Sequence, residues 1–183
     1  CRNRNEADSC GVCPSCRKYQ KLVHPDLHFV FPVYSTKDLK KPVSDDYLSA
    51  WREMVKVNPY FTLSQWLAFI KSENKQGLIY ESESESIIKK LSLKSFESEY
   101  KVMIIWLPEK MHLACSNKLL KLIEEPPNKT LFILITEDEE SVIPTIRSRT
   151  QRMFVPFIDN EPMTDALIKV HGYSPDNRGA SED

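Results

Sequence analysis

The chain has 183 residues, of which 41% are apolar and 28% are charged, and its formal net charge at pH 7 is −1. This composition supports a folded core with a small appendage, and it gives no bulk electrostatic attraction to nucleic acid. No run approaches the roughly 20 apolar residues that a membrane-spanning helix needs, and no secretory signal opens the chain, so we expect a cytoplasmic protein without membrane contact.

A cysteine cluster is the first specific feature, because four of the five cysteines lie close together at the start of the chain. Thiols at this spacing suit a tetrahedral zinc ion, whereas a disulfide framework would be spread along a small secreted chain. We therefore expect a zinc module over residues 1–26, with the metal held by Cys1, Cys10, Cys13 and Cys16. Four thiolates leave no position for a reactive water, so this zinc is expected to be structural. A redox pair or free thiols are the alternative, and they leave two of the cysteines without a role.

The residues just after the cluster predict a loop and then a strand. His24 is expected to have a loop role, because the cysteines already complete a ligand set. Residues 27–33 are rich in aromatic and branched side chains and predict a strand that stops near Pro32.

Residues 34–76 differ in character from their surroundings and are interpreted as a helical insertion. Two amphipathic helical patterns follow one another, and a capping box of Thr62 and Gln65 opens the second. Each pattern carries a tryptophan, Trp51 in the first and Trp66 in the second. Tryptophans on an apolar stripe usually pack on their own domain, so we expect burial, with a partner surface as the alternative.

A helix and a strand are predicted next, at residues 81–95 and 101–107. The strand is a continuous apolar run, which is typical of a parallel strand covered on both faces. A second helix follows, because apolar residues recur at steps of three and four until two prolines end the pattern. Its apolar stripe consists of Met111, Cys115, Leu119 and Leu122. Cys115 is expected to be a small buried hydrophobe.

The last predicted elements are a second buried strand at residues 131–136, a short helix at 141–150 and a helical pattern at 163–170. Alternation of strands and helices is typical of an α/β fold in which helices flank a parallel sheet. By itself this order says nothing about function.

Three motifs in this region resemble those of the AAA+ clamp-loader subunits of bacterial DNA polymerase III. They are a leucine-rich helix that ends in Glu-Glu-Pro-Pro at residues 119–127, a strand that ends at a sensor-like Thr136, and Ile-Arg-Ser-Arg-Thr at 146–150. The four-cysteine spacing is also found in that family. The resemblance covers about residues 1–33 and 77–157, and it is greatest to the delta-prime type, with gamma/tau as the sibling.

The resemblance implies a truncated AAA+ (P-loop NTPase-like) domain with an inserted zinc module. Residues 27–158 are then the AAA+ core without its first strand and phosphate loop, and residues 159–183 begin the helical lid domain. The four glycines of the chain are too dispersed for a phosphate loop. No nucleotide-binding residue is therefore assigned.

The family's acidic magnesium-binding pair falls on Trp106 and Leu107 when the motif is aligned on Asn117. An indole and an isobutyl group cannot bind magnesium or orient a water. Glu109 would replace the pair only if the alignment were shifted. This departure favours the delta-prime type, which does not hydrolyse ATP, over the gamma type, which does.

Arg149 matches the arginine of the family's Ser-Arg-Cys motif, and Thr150 replaces the cysteine. The resemblance implies that Arg149 is an arginine finger, which stabilises charge on the phosphoryl group transferred in a neighbouring subunit. The alternative is that Arg147, Arg149 and Arg152 form a solvated basic edge.

Together these features predict a non-hydrolysing clamp-loader subunit, a component of the polymerase holoenzyme and not an enzyme by itself. The resemblance implies gamma/tau and delta subunits, the sliding clamp and primer-template DNA as partners. One alternative is an ATPase of the gamma/tau type whose phosphate loop lies upstream. The other is a stand-alone zinc-ribbon module that binds nucleic acid.

Overall fold

The structure, a computed structural model, describes residues 1, 8–72, 75–127, 129–156 and 158–171. Its chain divides into two compact units, Cys1–Thr150 and Gln151–Asp183. The first unit contains α1 (Pro14–Gln20), β1 (Leu27–Val30), α2 (Leu48–Val57), α3 (Leu63–Phe69), α4 (Glu81–Ser92), β2 (Lys101–Trp106), α5 (Leu113–Glu124), β3 (Thr130–Ile135) and α6 (Pro144–Arg147). The second contains α7 (Asn160–His171). None of the described helices has the length and apolar character that crossing a bilayer requires.

The three strands form one parallel sheet in the order β1-β2-β3. Phe29 lies opposite Ile104, and Ile104 lies opposite Ile133. Successive side chains of a strand point to opposite faces, so Ile104 and its neighbour Ile105 belong to different cores. The predicted α/β fold, a parallel sheet flanked by helices, is confirmed.

One face of the sheet is covered by α4 and α5, with α6 beside α5. Branched residues and methionines fill this core because the apolar stripes of the helices meet the inward side chains of the strands. Its fully buried members include Val30, Ile79, Ile87, Met103, Ile105, Cys115, Leu119 and Ile146. Cys115 is therefore a buried core residue, as expected.

The other face is covered by α2 and α3, the helices of the predicted insertion. Trp51 stacks on Phe31 with ring centroids 4.2 Å apart, and Trp66 meets Phe31 edge-on at 5.2 Å. Both tryptophans are buried. The expectation that they pack on their own domain is confirmed.

Residues 131–136 were expected to form a buried strand, and the structure confirms the strand but not its burial. One face of β3 is half-buried through Phe132 and Leu134, but Leu131, Ile133 and Ile135 on the other face remain 49%, 38% and 47% exposed. Within the described part of the chain, α2 and α3 reach over β1 and β2 and leave this side of β3 uncovered. A continuous apolar run therefore identified the strand but not which of its faces is covered.

Several predicted boundaries also differ from the structure. β1 ends at Val30, and the buried residues after it continue to Val33, which forms an isolated antiparallel bridge with Leu78. The short helix expected at 141–150 begins only at Pro144, after a separate 3-10 helix at Glu139–Ser141. Proline lacks an amide hydrogen and restricts the residue before it, so it is suited to the first turn of a helix.

Candidate functional site

The four N-terminal cysteines come together in the structure. Their Sγ atoms all lie within 4.8 Å of one another, and those of Cys10 and Cys16 are 4.0 Å apart. In a tetrahedral site with zinc–sulfur bonds of about 2.3 Å, the sulfurs are separated by about 3.8 Å. The spacing of the four thiols is therefore compatible with a bound metal ion.

Local geometry explains how these thiols converge. Gly11 adopts a left-handed backbone with φ of 68°, a conformation that glycine reaches at little cost, so the chain reverses between Cys10 and Cys13. The amide of Cys10 points at the sulfur of Cys1 at 3.3 Å, and the amide of Cys16 at that of Cys13 at 3.5 Å. Burial raises the pKa of the Cys16 thiol, and a bound cation would favour its thiolate form.

His24 lies in the loop between α1 and β1 and is buried. Its Nδ1 accepts the amide hydrogen of Asp26 at 3.2 Å, and its Nε2 lies 3.2 Å from the hydroxyl of Ser15. Because Nδ1 is the acceptor, Nε2 carries the hydrogen and donates it to Ser15. Ser15, His24 and Asp26 therefore cannot work as a nucleophilic triad, because in such a triad Nε2 of the histidine must accept the serine proton. His24 instead attaches α1 to the sheet.

Asp26 is a buried acceptor that the sequence patterns did not reveal. Its carboxylate accepts the amide hydrogens of Phe96, Glu97 and Ser98 at 2.6, 2.8 and 2.8 Å. Burial alone would raise the pKa of Asp26, but these donors outweigh it and hold the pKa below its usual value. The segment before β2 is thereby fixed next to the cysteine module.

Trp106 and Leu107 lie at the carboxyl end of β2. Trp106 is its last residue, and its ring packs against Trp51 at 5.3 Å and Phe61 at 5.2 Å. Leu107 is buried in a left-handed conformation with φ of 57°, and its amide donates to the carbonyl of Ile135 at 2.8 Å. The Trp106 ring is thus held in aromatic packing and Leu107 is buried, and neither side chain offers an oxygen to a metal ion.

Glu109 and Thr136 meet at this same end of the sheet. The Thr136 hydroxyl donates to Glu109 Oε2 at 2.8 Å and accepts the amide hydrogen of Asp138 at 3.1 Å. Glu109 also lines a cleft of about 390 Å³, whose other lining residues are Leu63, Leu107, Lys110, Glu137, Asp138 and Ser141. Carboxyl ends of parallel strands are where α/β folds place ligands. Here the sensor-like threonine is bound by a carboxylate of its own chain.

Arg149 follows α6 on the surface. Its Nε donates to Glu124 Oε2 at 2.9 Å, and its Nη1 donates to the carbonyl oxygen of Thr145 at 2.9 Å. Arg147 is held differently, since it pairs with Glu140 at 2.8 Å, which raises its pKa. The two arginines therefore point to different acids. Sequence reasoning did not assign Glu124 a role, although a glutamate in the last turn of a helix opposes the helix dipole and was a usable signal.

Comparison with known proteins identifies several relatives. The family described as "DNA polymerase III, delta subunit" matches residues 1–158. DNA polymerase III subunit delta' of Bacillus subtilis (strain 168) is 27% identical over 163 residues, which are 89% of this chain and 37% of that protein. DNA polymerase III subunit gamma/tau of Mycobacterium tuberculosis (strain ATCC 25618 / H37Rv) is 46% identical over 74 residues, which are 40% of this chain and 13% of that protein. The chain thus spans well under half the length of these relatives.

A solved structure is also similar. It is a DNA polymerase III gamma subunit-related protein from Thermotoga maritima, with a TM-score of 0.47 and 18% identity. The match covers 84% of this chain and 49% of that one.

Proposed function

Because the chain belongs to the DNA polymerase III delta-subunit family, we propose that it is part of a delta-prime-type subunit of a bacterial clamp loader, at work in the cytoplasm. In this proposal the subunit helps to place the sliding clamp on primer-template DNA, in complex with gamma/tau and delta subunits. It acts as a component of the polymerase holoenzyme and does not hydrolyse ATP itself.

The observation that carries the proposal is that two apolar side chains, the packed indole of Trp106 and the buried Leu107, stand at the end of β2. An ATPase of this class needs carboxylates there to hold magnesium and position water. Replacing them with a packed indole and a buried leucine removes those ligands. Glu109 is nearby, but its carboxylate is hydrogen-bonded by Thr136.

Arg149 is the residue through which such a subunit acts on a neighbour. It lies at the surface, and a guanidinium can bind two phosphate oxygens in a planar fork. In the proposal, Arg149 reaches the ATP held by the adjacent gamma/tau-type subunit and stabilises the charge that develops as the phosphoryl group transfers. Thr136 keeps a sensor-like position without a catalytic role.

Cys1, Cys10, Cys13 and Cys16 hold a structural zinc in this proposal. The ion fixes the backbone of the N-terminal module, and its four sulfur ligands leave no open position for chemistry. The module is attached to the sheet through His24 and Asp26, so its fold is coupled to that of the core.

The test uses the full-length subunit, alone and in a reconstituted clamp loader. Alone, the subunit should show no steady ATP turnover. In the complex, Arg149→Ala should slow ATP hydrolysis, by up to about 10³-fold as for arginine fingers elsewhere. Arg149→Lys should restore little of it, because lysine lacks the planar fork.

Arg147→Ala is the matched control, since Arg147 is a neighbouring surface arginine that pairs with a different acid. It should leave turnover near the wild-type rate. Normal turnover with Arg149→Ala, or equal loss in both variants, would show that these arginines form only a basic edge.

The second candidate function is an ATP-hydrolysing subunit of the gamma/tau type. The identity of 46% with gamma/tau of Mycobacterium tuberculosis over 74 residues favours it. It requires a glycine-rich phosphate loop in the full-length gene. Steady ATP turnover by the purified full-length subunit, abolished by a change in that loop, would establish this candidate instead.

A further inference from the structure

We infer that Glu124 is a positioning residue for Arg149, and that its carboxylate holds the guanidinium in one orientation on the surface of the subunit. The inference rests on the proposed function, since an orientation matters only if Arg149 meets a phosphate bound by a neighbour. Glu124 would then be a second residue of this chain that supports ATP hydrolysis by the neighbour, and it would contact the arginine and not the nucleotide.

The geometry consists of two anchors on different nitrogens. Nε of Arg149 donates to Glu124 Oε2 at 2.9 Å, and Nη1 donates to the carbonyl oxygen of Thr145 at 2.9 Å. Two contacts on separate nitrogens fix the plane of a rigid guanidinium, which one contact cannot do. Among the described residues, no hydrogen bond engages Nη2, and the side chain is 32% exposed, so this nitrogen is available to a phosphate.

The backbone positions that support this contact are fixed by the core. Glu124 is the last residue of α5, five residues after the buried Leu119 and next to the buried Ile123. Arg149 comes shortly after the fully buried Ile146 of α6. These apolar residues belong to the same core cluster, so the two helices hold the acid and the base at a constant separation.

The location of Glu124 is unfavourable without a cation. The carboxyl end of a helix carries partial negative charge, and a carboxylate in the last turn is repelled by it. Pro126 and Pro127 follow and prevent the helix from continuing past this point. Arg149 neutralises the Glu124 carboxylate at the place where it is least stable. The acid therefore has an electrostatic reason to stay on the arginine.

The Glu124–Arg149 ion pair is strong enough to orient the guanidinium but too weak to keep it away from a phosphate. The side chains of Arg149 and Glu124 are 32% and 56% exposed. An exposed ion pair favours the paired side-chain conformation over the unpaired ones only by a factor of about two to five. Such a pair selects one rotamer of a long side chain. It is too weak to withhold the arginine from a phosphate that carries more charge and offers two oxygens.

The experiment uses the full-length subunit in the reconstituted clamp loader, with ATP turnover by the neighbouring subunit as the readout. Glu124→Ala should lower kcat about two- to five-fold and leave KM nearly unchanged, because the arginine spends less time in the productive orientation. Glu124→Gln keeps an oxygen that can accept from Nε and should fall between Glu124→Ala and wild type. The double variant Glu124→Ala with Arg149→Ala should match Arg149→Ala alone.

Glu140→Ala is the matched control. It removes the acid that pairs with Arg147, in a neighbouring surface ion pair whose side chains are 36% and 84% exposed, and should leave kcat unchanged. Thermal unfolding of each variant checks that a loss of kcat is not a loss of folded protein.

Three results would overturn the inference. They are a wild-type kcat for Glu124→Ala, a raised kcat, which would mean that Glu124 withholds the arginine, and a double variant slower than Arg149→Ala alone. In each case a slow Arg149→Ala complex would still support the finger. A wild-type rate of ATP turnover with Arg149→Ala would instead overturn the proposed function. The experiment therefore distinguishes failure of the Glu124 inference from failure of the proposed function.

Discussion

Oε2 of Glu83 accepts the amide hydrogen of Ser44 at 2.6 Å and lies 2.9 Å from the Ser44 hydroxyl, across 39 positions of sequence. Both residues are buried, and the contact joins α4 to the start of the insertion. The second oxygen, Oε1, has no hydrogen-bond partner in the described part of the chain. Burial raises the pKa of Glu83, although the Ser44 donors act in the opposite direction.

This pKa predicts a stability that depends on pH. The folded state holds the Glu83 proton more tightly than the unfolded state, whose pKa is near 4.5. The stabilising contribution is therefore complete below that value and is lost as pH rises through the raised pKa, by about 1.4 kcal/mol per pH unit within that window. Glu83→Gln removes the titration and should gain stability relative to wild type as pH rises.

Urea denaturation from pH 4 to pH 9 measures this difference. Glu85→Gln changes an exposed acid on the same helix and should show no comparable trend. A difference between Glu83→Gln and wild type that stays constant over the whole pH range would contradict the prediction.

The cysteine cluster predicts one bound zinc per chain. Cys13→Ser removes a ligand and should release the metal, and chelation of the wild type should unfold the module, because metal binding of this kind contributes on the order of 10 kcal/mol to folding. Elemental analysis of protein prepared in metal-free buffer measures the metal content.

Cys115→Ala is the control for loss of a thiol. Cys115 lies in the core, and burial raises the pKa of Cys115 to about 12, so it does not compete as a thiolate ligand. This variant should lose some stability through the cavity and keep its zinc. Wild-type protein without zinc would refute the prediction.

Asp26→Asn should destabilise the chain by about 1.5–3 kcal/mol, because the amide turns one acceptor oxygen into a donor that faces the amides of residues 96–98. The lowered pKa of Asp26 means that its stabilisation is present above its ordinary pKa of 3.8 and is lost as pH falls through the lower folded value. Chemical denaturation at pH 7 gives the size of the change.

Asp38→Asn alters an exposed aspartate and should stay within about 0.5 kcal/mol of wild type. Should the two asparagine variants prove equally stable, the Asp26 carboxylate would not be the anchor of the segment before β2.

The two insertion tryptophans form a matched pair for a third stability test. The indole nitrogen of Trp66 donates to the carbonyl oxygen of Pro32 at 2.8 Å, whereas the buried indole nitrogen of Trp51 has no partner among the described residues. Both phenylalanine variants lose similar volume, but only Trp66→Phe leaves a buried carbonyl without its donor. Trp66→Phe should therefore cost about 1–3 kcal/mol more than Trp51→Phe.

Far-UV circular dichroism is the suitable probe, because it reports unfolding without depending on the tryptophan that was removed. Equal costs, or a larger cost for Trp51→Phe, would show that packing alone decides the stability of this core.

Local patterns were sufficient to predict most elements of the fold. An apolar run marks residues 101–107 as a buried strand, and an apolar stripe that includes Cys115 and Leu119 marks the next segment as a helix. The elements β2 and α5, and the parallel pairing of the strands, were therefore predicted correctly. The capping box of Thr62 and Gln65 is also present as predicted. Each of these signals lies within a few positions of the residue that it describes.

The contacts that the sequence did not reveal all join distant positions. Asp26 binds amides 70 to 72 residues away, and Arg149 binds an acid 25 residues away. Such pairs depend on where the topology brings two loops, which no local periodicity records. The uncovered face of β3 has the same cause, because α2 and α3 cover only the strands that they reach.

The arrangement of the three tryptophans gives the protein a built-in optical probe. Trp51 lies 5.2 Å from Trp66 and 5.3 Å from Trp106, measured between ring centroids, and these are all the tryptophans of the chain. Indole emission therefore arises from one location, where the insertion meets the carboxyl end of β2. We expect a partner subunit that binds at this end to change the emission of the unlabelled protein, and titrations can follow that event without an attached dye.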